Sequence, residues 1–103
     1  MTGRFVGKSM VVTGAASGIG KAIAMMGAAQ GATIVVADMN DEGGKATVSE
    51  IEGAGGKAEF HQVNLTDRAS IIAFGESVLA SVGAVDILIN AAGWDVLEKF
   101  LDS

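Results

Sequence analysis

The chain has 103 residues, half of them hydrophobic and 18% charged, with 12 acidic and 7 basic residues and a formal net charge of -5. That apolar content excludes a disordered chain, and the absence of Cys excludes disulfides and thiolate metal sites. A negative chain with no basic cluster is a poor match for a nucleic-acid backbone. No run approaches the roughly 18 apolar residues of a membrane span, and residues 1–10 carry no leader-like apolar core. The expectation is a soluble, cytoplasmic, single-domain protein with neither nucleic acid nor membrane as partner.

Short apolar runs alternate with longer helical stretches. Residues 8–13 form a short run around Met10, Val11 and Val12 that ends in glycine. Residues 18–30 read as a helix, with Ile19, Ile23 and Met26 at helical spacing and Gly31 where the helix should stop. Residues 33–37, TIVVA, form a β-branched run suited to a strand buried on both faces. Residues 41–54 form a weaker helix, with a narrow stripe through Val48 and Ile51. Gly43 and Gly44 each cost that helix about 1 kcal/mol relative to Ala. Residues 57–63 alternate as an edge-like strand. Thr66 or Asp67 caps the next helix, whose apolar face is Ile71, Phe74 and Val78. Residues 85–90 give a fourth strand, and residues 96–101 begin another helix. This βα alternation predicts a Rossmann-like α/β fold: a doubly wound parallel sheet, incomplete at four strands, in the order 3-2-1-4.

The first strand runs into Thr13-Gly14-Ala15-Ala16-Ser17-Gly18-Ile19-Gly20 and then a helix. This is the setting of a dinucleotide-binding turn. Gly14 makes the reversal, Gly18 lets a diphosphate approach the backbone, and Gly20 lets helix and strand pack closely. Asp38 ends the second strand, about 20 residues beyond the bend, where a carboxylate accepts from ribose hydroxyls and repels a 2′-phosphate. No Lys or Arg stands at Ala15, Ala16, Ser17, Met39 or Asn40 to welcome that phosphate. The expected cofactor is therefore NAD rather than NADP. Gly7-Lys8-Ser9 imitates the end of a phosphate-binding P-loop, but Thr2 stands where that motif needs glycine. His61, the sole histidine, reads as a partly exposed structural residue, and no metal site is expected.

These residues, together with Asn64-Leu65-Thr66 after the third strand and Asn90-Ala91-Ala92-Gly93 after the fourth, resemble the short-chain dehydrogenase/reductase family over essentially the whole chain. The resemblance implies a cofactor site built from Gly14, Ala16, Ser17, Gly18, Ile19, Gly20, Asp38, Met39, Asn64, Leu65, Asn90, Ala91, Ala92 and Gly93. In the family the pair at the third strand's end holds the adenine ring through a side chain and a backbone N–H. Asp is common at the first position. With Asn64 there, its carbonyl is expected to accept from the adenine amino group. The element at Asn90 lies along the ribose and nicotinamide side, with Ala91 in place of the commoner second Asn.

The chemistry implied is hydride transfer between a nicotinamide and a small-molecule secondary alcohol or ketone, with Tyr as acid/base, Lys beside it and Ser on the substrate oxygen. The chain has no Tyr at all, so no catalytic residue carries over. Residues 1–103 are expected to be the N-terminal NAD-binding half of an oxidoreductase whose full-length form is a homo-oligomer and whose catalytic part is absent. The fourth strand would then carry an open edge, and the isolated chain is expected to be unstable, prone to aggregate or dependent on a partner. A non-catalytic NAD-binding or regulatory module is the alternative reading. Gly93-Trp94-Asp95 is similar to a subgroup that oxidises 2-hydroxycyclohexanecarboxyl-CoA, an alicyclic acyl-CoA; the other account is that Trp94 simply packs over the strand ends.

Overall fold

The structure, a computed structural model, describes residues 3–91. The helix expected at residues 96–101 lies outside them, as do Ala92, Gly93, Trp94 and Asp95. Seven elements follow in the order β1 (Ser9–Thr13), α1 (Gly18–Ala29), β2 (Thr33–Asp38), α2 (Asp41–Gly53), β3 (Lys57–Gln62), α3 (Arg68–Val82) and β4 (Ile87–Asn90). All strand pairs are parallel and the sheet order is β3-β2-β1-β4, as expected from the pattern. Among the described residues β4 therefore has a neighbour on one side only, Val11 standing opposite Leu88.

Strand periodicity divides the core in two. Met10, Val12, Ile34 and Val36 face α1 and α2, packing with Ala24, Ala28 and Ile51. Val11, Val35 and Ala37 face the opposite way, onto Ile71, Phe74 and Val78 of α3. Residues 10–12 of β1 and 34–37 of β2 are apolar and buried at every step because both faces are covered. The stripe read on α3 is the buried one, and its N-cap is Asp67, whose side chain accepts from the Ala69 N–H at 3.0 Å.

The apolar spacing read on α1 is not its buried face. Gly20, Ala24, Gly27 and Ala28 face the sheet, while Ile19 is 76% and Met26 66% exposed. The reason is distance. A Cβ on Gly27 would stand 2.7 Å from Met10 Sδ and 3.2 Å from Ile34 Cδ1. Small side chains let α1 lie against β1 and β2, and the bulkier ones are turned to its rim and outer surface. Met25 still reaches the core edge, whereas Met26 does not.

Gly44, a cost when α2 is considered alone, has the same explanation. A Cβ there would run into the Phe60 ring of β3. Thr47, fully buried one turn further on, keeps its hydroxyl satisfied by donating to the Ala15 carbonyl at 3.0 Å. Glycine at 44 thus sets the seat of α2, and that seat determines what Thr47 can reach.

On the α3 side of β3, Glu59 accepts from Ser81 Oγ at 2.6 Å and lies 2.6 Å from His61 Nε2, whose ring meets Phe74 edge-on. Burial pushes the Glu59 carboxyl up. The Ser81 bond, the His61 bond and the His61 charge together outweigh it, leaving the group below its ordinary value of 4.5.

Two outcomes follow for stability. Gly44→Ala should lower the unfolding free energy by about 1–2 kcal/mol, because overpacking against Phe60 outweighs the gain in helix propensity. Gly75→Ala, whose Cβ would meet nothing within 4 Å, should raise it by up to about 1 kcal/mol. Urea titration of the two variants checks the pair. For Glu59 the depressed value means the folded state favours the carboxylate. Its contribution is complete above the unfolded value and is lost as pH falls through the lower folded one. The gap in Tm between the wild type and Glu59→Gln should therefore be widest near neutrality and close below about pH 4.5. A gap independent of pH would contradict the pairing.

Candidate functional site

The bend from β1 into α1 lies at the carboxyl edge of the sheet. Gly14 and Gly18 hold φ of +69° and +61°, values that a side chain rarely accepts. A Cβ on Gly20 would overlap the Gly14 carbonyl and stand 3.1 Å from Ala91 Cβ. Glycine at 20 is thus what allows α1 to begin directly against its own approach strand and beside the end of β4.

The start of α1 is uncapped. Ser17 supplies no side-chain cap, and Lys21 N–H is the first to return into the bend, reaching Ser17 O at 3.3 Å. The N–H groups of Gly18, Ile19 and Gly20 have no acceptor among the described residues. Open space surrounds the Cβ position of Gly18. Free amides at the positive end of a helix, with room before them, fit a phosphate-bearing group.

Two carboxylate bonds tie this bend to the next turn. Asp38 Oδ2 accepts from Ala16 N–H at 3.1 Å, and Oδ1 accepts from Asn40 N–H at 2.9 Å. Each oxygen keeps a lone pair for a further donor. Ala15 is held on both sides, its N–H reaching Ala37 O at 3.3 Å and its carbonyl receiving the Thr47 hydroxyl. Asn40 caps α2 by accepting from Gly43 N–H at 3.0 Å. Thr47 is a supporting residue that the sequence reading missed; the signal was a polar side chain on the inward face of an amphipathic helix.

Beyond Asp38 lies a hollow of about 330 Å³ lined by Gly14, Asp38, Met39, Val63, Asn64, Leu65 and Thr66. The structure thus brings the expected Asp38, Met39, Asn64 and Leu65 to one cavity beside the bend. A larger hollow, about 450 Å³, lies along α3 between Ile71, Ile72, Leu79 and Val85. Its one charged side chain is Glu76, a carboxylate, and none of its lining side chains is a hydrogen-bond donor, so the chemistry favours the smaller one. At the smaller hollow the Asn64 carbonyl is engaged within its own turn. Oδ1 accepts from Thr66 N–H at 3.0 Å and from Thr66 Oγ1 at 2.7 Å. The backbone of Asn64 is fixed in turn, its N–H donating to Ser70 Oγ at 3.0 Å.

At the end of β4, Asn90 Oδ1 accepts from the buried Thr13 hydroxyl at 2.8 Å, and Ala91 N–H continues the ladder to Thr13 O at 3.3 Å. Thr13 therefore couples the first and fourth strands where both reach the site. Ala92 and Gly93, the remaining expected positions, lie outside the described residues.

Comparison with known proteins agrees with this geometry. The sequence profile of the family described as short chain dehydrogenase matches residues 8–103. An uncharacterized oxidoreductase, YxbG of Bacillus subtilis (strain 168), is 40% identical over 93 residues, covering 90% of this chain and 34% of that protein. The 3-oxoacyl-[acyl-carrier-protein] reductase FabG of Thermotoga maritima is 42% identical over 90 residues, covering 87% and 37%. Among solved structures, a metagenomic short-chain oxidoreductase in complex with NADP superposes with a TM-score of 0.83 at 42% identity, covering 87% of this chain and 41% of the other. A 7α-hydroxysteroid dehydrogenase complexed with NADH and 7-oxo glycochenodeoxycholic acid gives 0.80 at 38% identity, covering 82% and 33%. The chain thus spans about a third of the length of the curated relatives named here, 34% and 37%. With the profile matched over residues 8–103 and the sheet superposing on solved members, the chain belongs to the short-chain dehydrogenase family of oxidoreductases.

Proposed function

We propose that this chain is the NAD-binding half of an oxidoreductase that transfers hydride between a nicotinamide and a secondary alcohol or ketone. The diphosphate lies over the free amides of Gly18, Ile19 and Gly20. The adenosine ribose hydrogen-bonds to Asp38, and the base enters the hollow between Met39 and Leu65. The nicotinamide end runs toward Asn90 and Ala91, with Ala92 and Gly93 beyond them. When bound, the cofactor supplies the hydride acceptor or donor; the residues here bind it and orient it. The chain contains no tyrosine, so the proton-transferring Tyr and Lys of the family are assigned to residues other than these 103, as are substrate selection and assembly into oligomers.

The observation that carries the reading is the Asp38 carboxylate, held by Ala16 N–H and Asn40 N–H beside an uncapped helix start. It favours NAD over NADP through simple electrostatics. A 2′-phosphate would bring about two negative charges against a carboxylate, and no Lys or Arg stands at positions 15–17, 39 or 40.

Calorimetric titration of the folded chain with NAD⁺ and NADP⁺ tests this. NAD⁺ should bind more tightly by at least about tenfold, and Asp38→Asn should shrink that ratio by a similar factor. Because Asp38 also braces the bend, the ratio is the informative quantity rather than either affinity. Equal binding of the two dinucleotides by the wild type would refute the role of Asp38, and no binding of either would refute the cofactor site.

A further inference from the structure

One peptide unit in the bend, the one that joins Ala15 to Ala16, is held at both poles by groups from other elements. Its carbonyl, Ala15 O, accepts from the Thr47 hydroxyl of α2 at 3.0 Å. Its N–H, on Ala16, donates to Asp38 Oδ2 at the end of β2 at 3.1 Å. Ala15 and Thr47 are both wholly buried, and no other group among the described residues donates to that carbonyl. The Thr47 hydroxyl has one proton and a second oxygen within reach, Gly43 O at 3.2 Å. In a regular helix the Gly43 carbonyl also receives the Thr47 N–H, whereas the Ala15 carbonyl depends on the hydroxyl alone.

These bonds close a ring. Asp38 Oδ1 accepts from the N–H of Asn40, the residue that caps α2, and Thr47 stands on that same helix. The helix also begins directly against the bend, since a Cβ on Gly43 would stand 3.1 Å from Ala16 Cβ. The polarity of the ring admits one orientation of the peptide unit. Turned over, the unit would set its carbonyl oxygen against the Asp38 carboxylate. The amides of Gly18, Ile19 and Gly20 follow within a few residues, so a tilt at Ala15–Ala16 redirects them. We propose that Thr47 is a positioning residue for the diphosphate, acting through Ala15 to aim those amides. The inference rests on the reading of the bend as the diphosphate site. Thr47 lies behind the bend and touches no ligand; its contribution is to order the amides before binding. Without the hydroxyl a buried carbonyl has no donor, and the unit turns to find one.

The experiment is calorimetric titration of the folded chain with NAD⁺, for the wild type, Thr47→Val, Thr47→Ala and Thr47→Ser, each well below its own Tm. Thr47→Val is nearly isosteric, and Thr47→Ala removes the same hydroxyl without leaving a methyl group against the carbonyl. Both should bind NAD⁺ at least about tenfold more weakly, and Thr47→Ser, which keeps the hydroxyl, should stay within about threefold of the wild type. A residue that only supported the fold would lower Tm and leave the affinity of the folded protein unchanged, and that result would overturn the proposal. Amide hydrogen exchange of the ligand-free wild type tests the ring without any substitution. The Ala16 amide should exchange at least about tenfold more slowly than those of Gly18 and Ile19. An Ala16 amide as fast as these would overturn the proposal whatever the variants do. A wild type that binds no NAD⁺ would instead overturn the proposed function, whereas one that binds it as tightly as Thr47→Val and Thr47→Ala do would overturn only the role of Thr47.

Discussion

The contact on which the site depends is the approach of Gly20 to the Gly14 carbonyl. It allows a helix to begin within a few residues of the strand that feeds it, with its first amides at the carboxyl edge of the sheet. Any side chain at 20 would push α1 away from β1 and from Ala91. The free N–H groups of Gly18, Ile19 and Gly20 would then no longer lie beside the ends of β2, β3 and β4. The small residues further along α1 extend the same constraint. Gly27 against Met10 and Ile34 keeps the helix axis close to the sheet for its whole length.

Around that contact the polar groups form a chain of fixed positions. Thr47 reaches from α2 to Ala15, Asp38 reaches from β2 to Ala16, and Thr13 joins β1 to Asn90 on β4. The first two bonds reach the loop between β1 and α1, and the third joins the ends of two strands. The bend is thus braced by groups contributed from α2, in one covering layer, and from the sheet. Such bracing fixes the geometry of the bend within the chain itself, and a pre-formed edge lowers the ordering cost of any binding there. The Asp38 carboxylate braces the bend through one bond on each oxygen and keeps lone pairs directed at neither amide.

The third-strand corner follows a different logic. There Thr66 and Ser70 take up the polar groups of Asn64 that would otherwise be adaptable, its carbonyl and its own N–H. An amide that is free to turn can offer either a donor or an acceptor. With its oxygen bonded to both the N–H and the hydroxyl of Thr66, the unengaged end of the amide is its donor, Nδ2. Local turn formation thereby sets the chemistry that the cavity presents, which residue type alone does not.

The sequence by itself determined the parallel sheet, its order and the glycine bend between the first strand and the first helix. Those depend on patterns that survive without coordinates: β-branched runs at β1 and β2, the stripe of Ile71, Phe74 and Val78, and glycines at 14, 18 and 20 between a strand and a helix. Tertiary structure decided which face of α1 is buried, because the benefit of small residues at a helix–sheet contact lies in distances to Met10 and Ile34 rather than in hydrophobicity. It also decided that Gly44 is a spacer against Phe60 and that Thr47 braces the bend. Finally, it decided that Asn64 turns its oxygen to Thr66 and keeps its nitrogen for the cavity. In each case the deciding partner comes from another element or from a turn whose conformation no single side chain encodes, so only folding brings the two groups within hydrogen-bonding or van der Waals range.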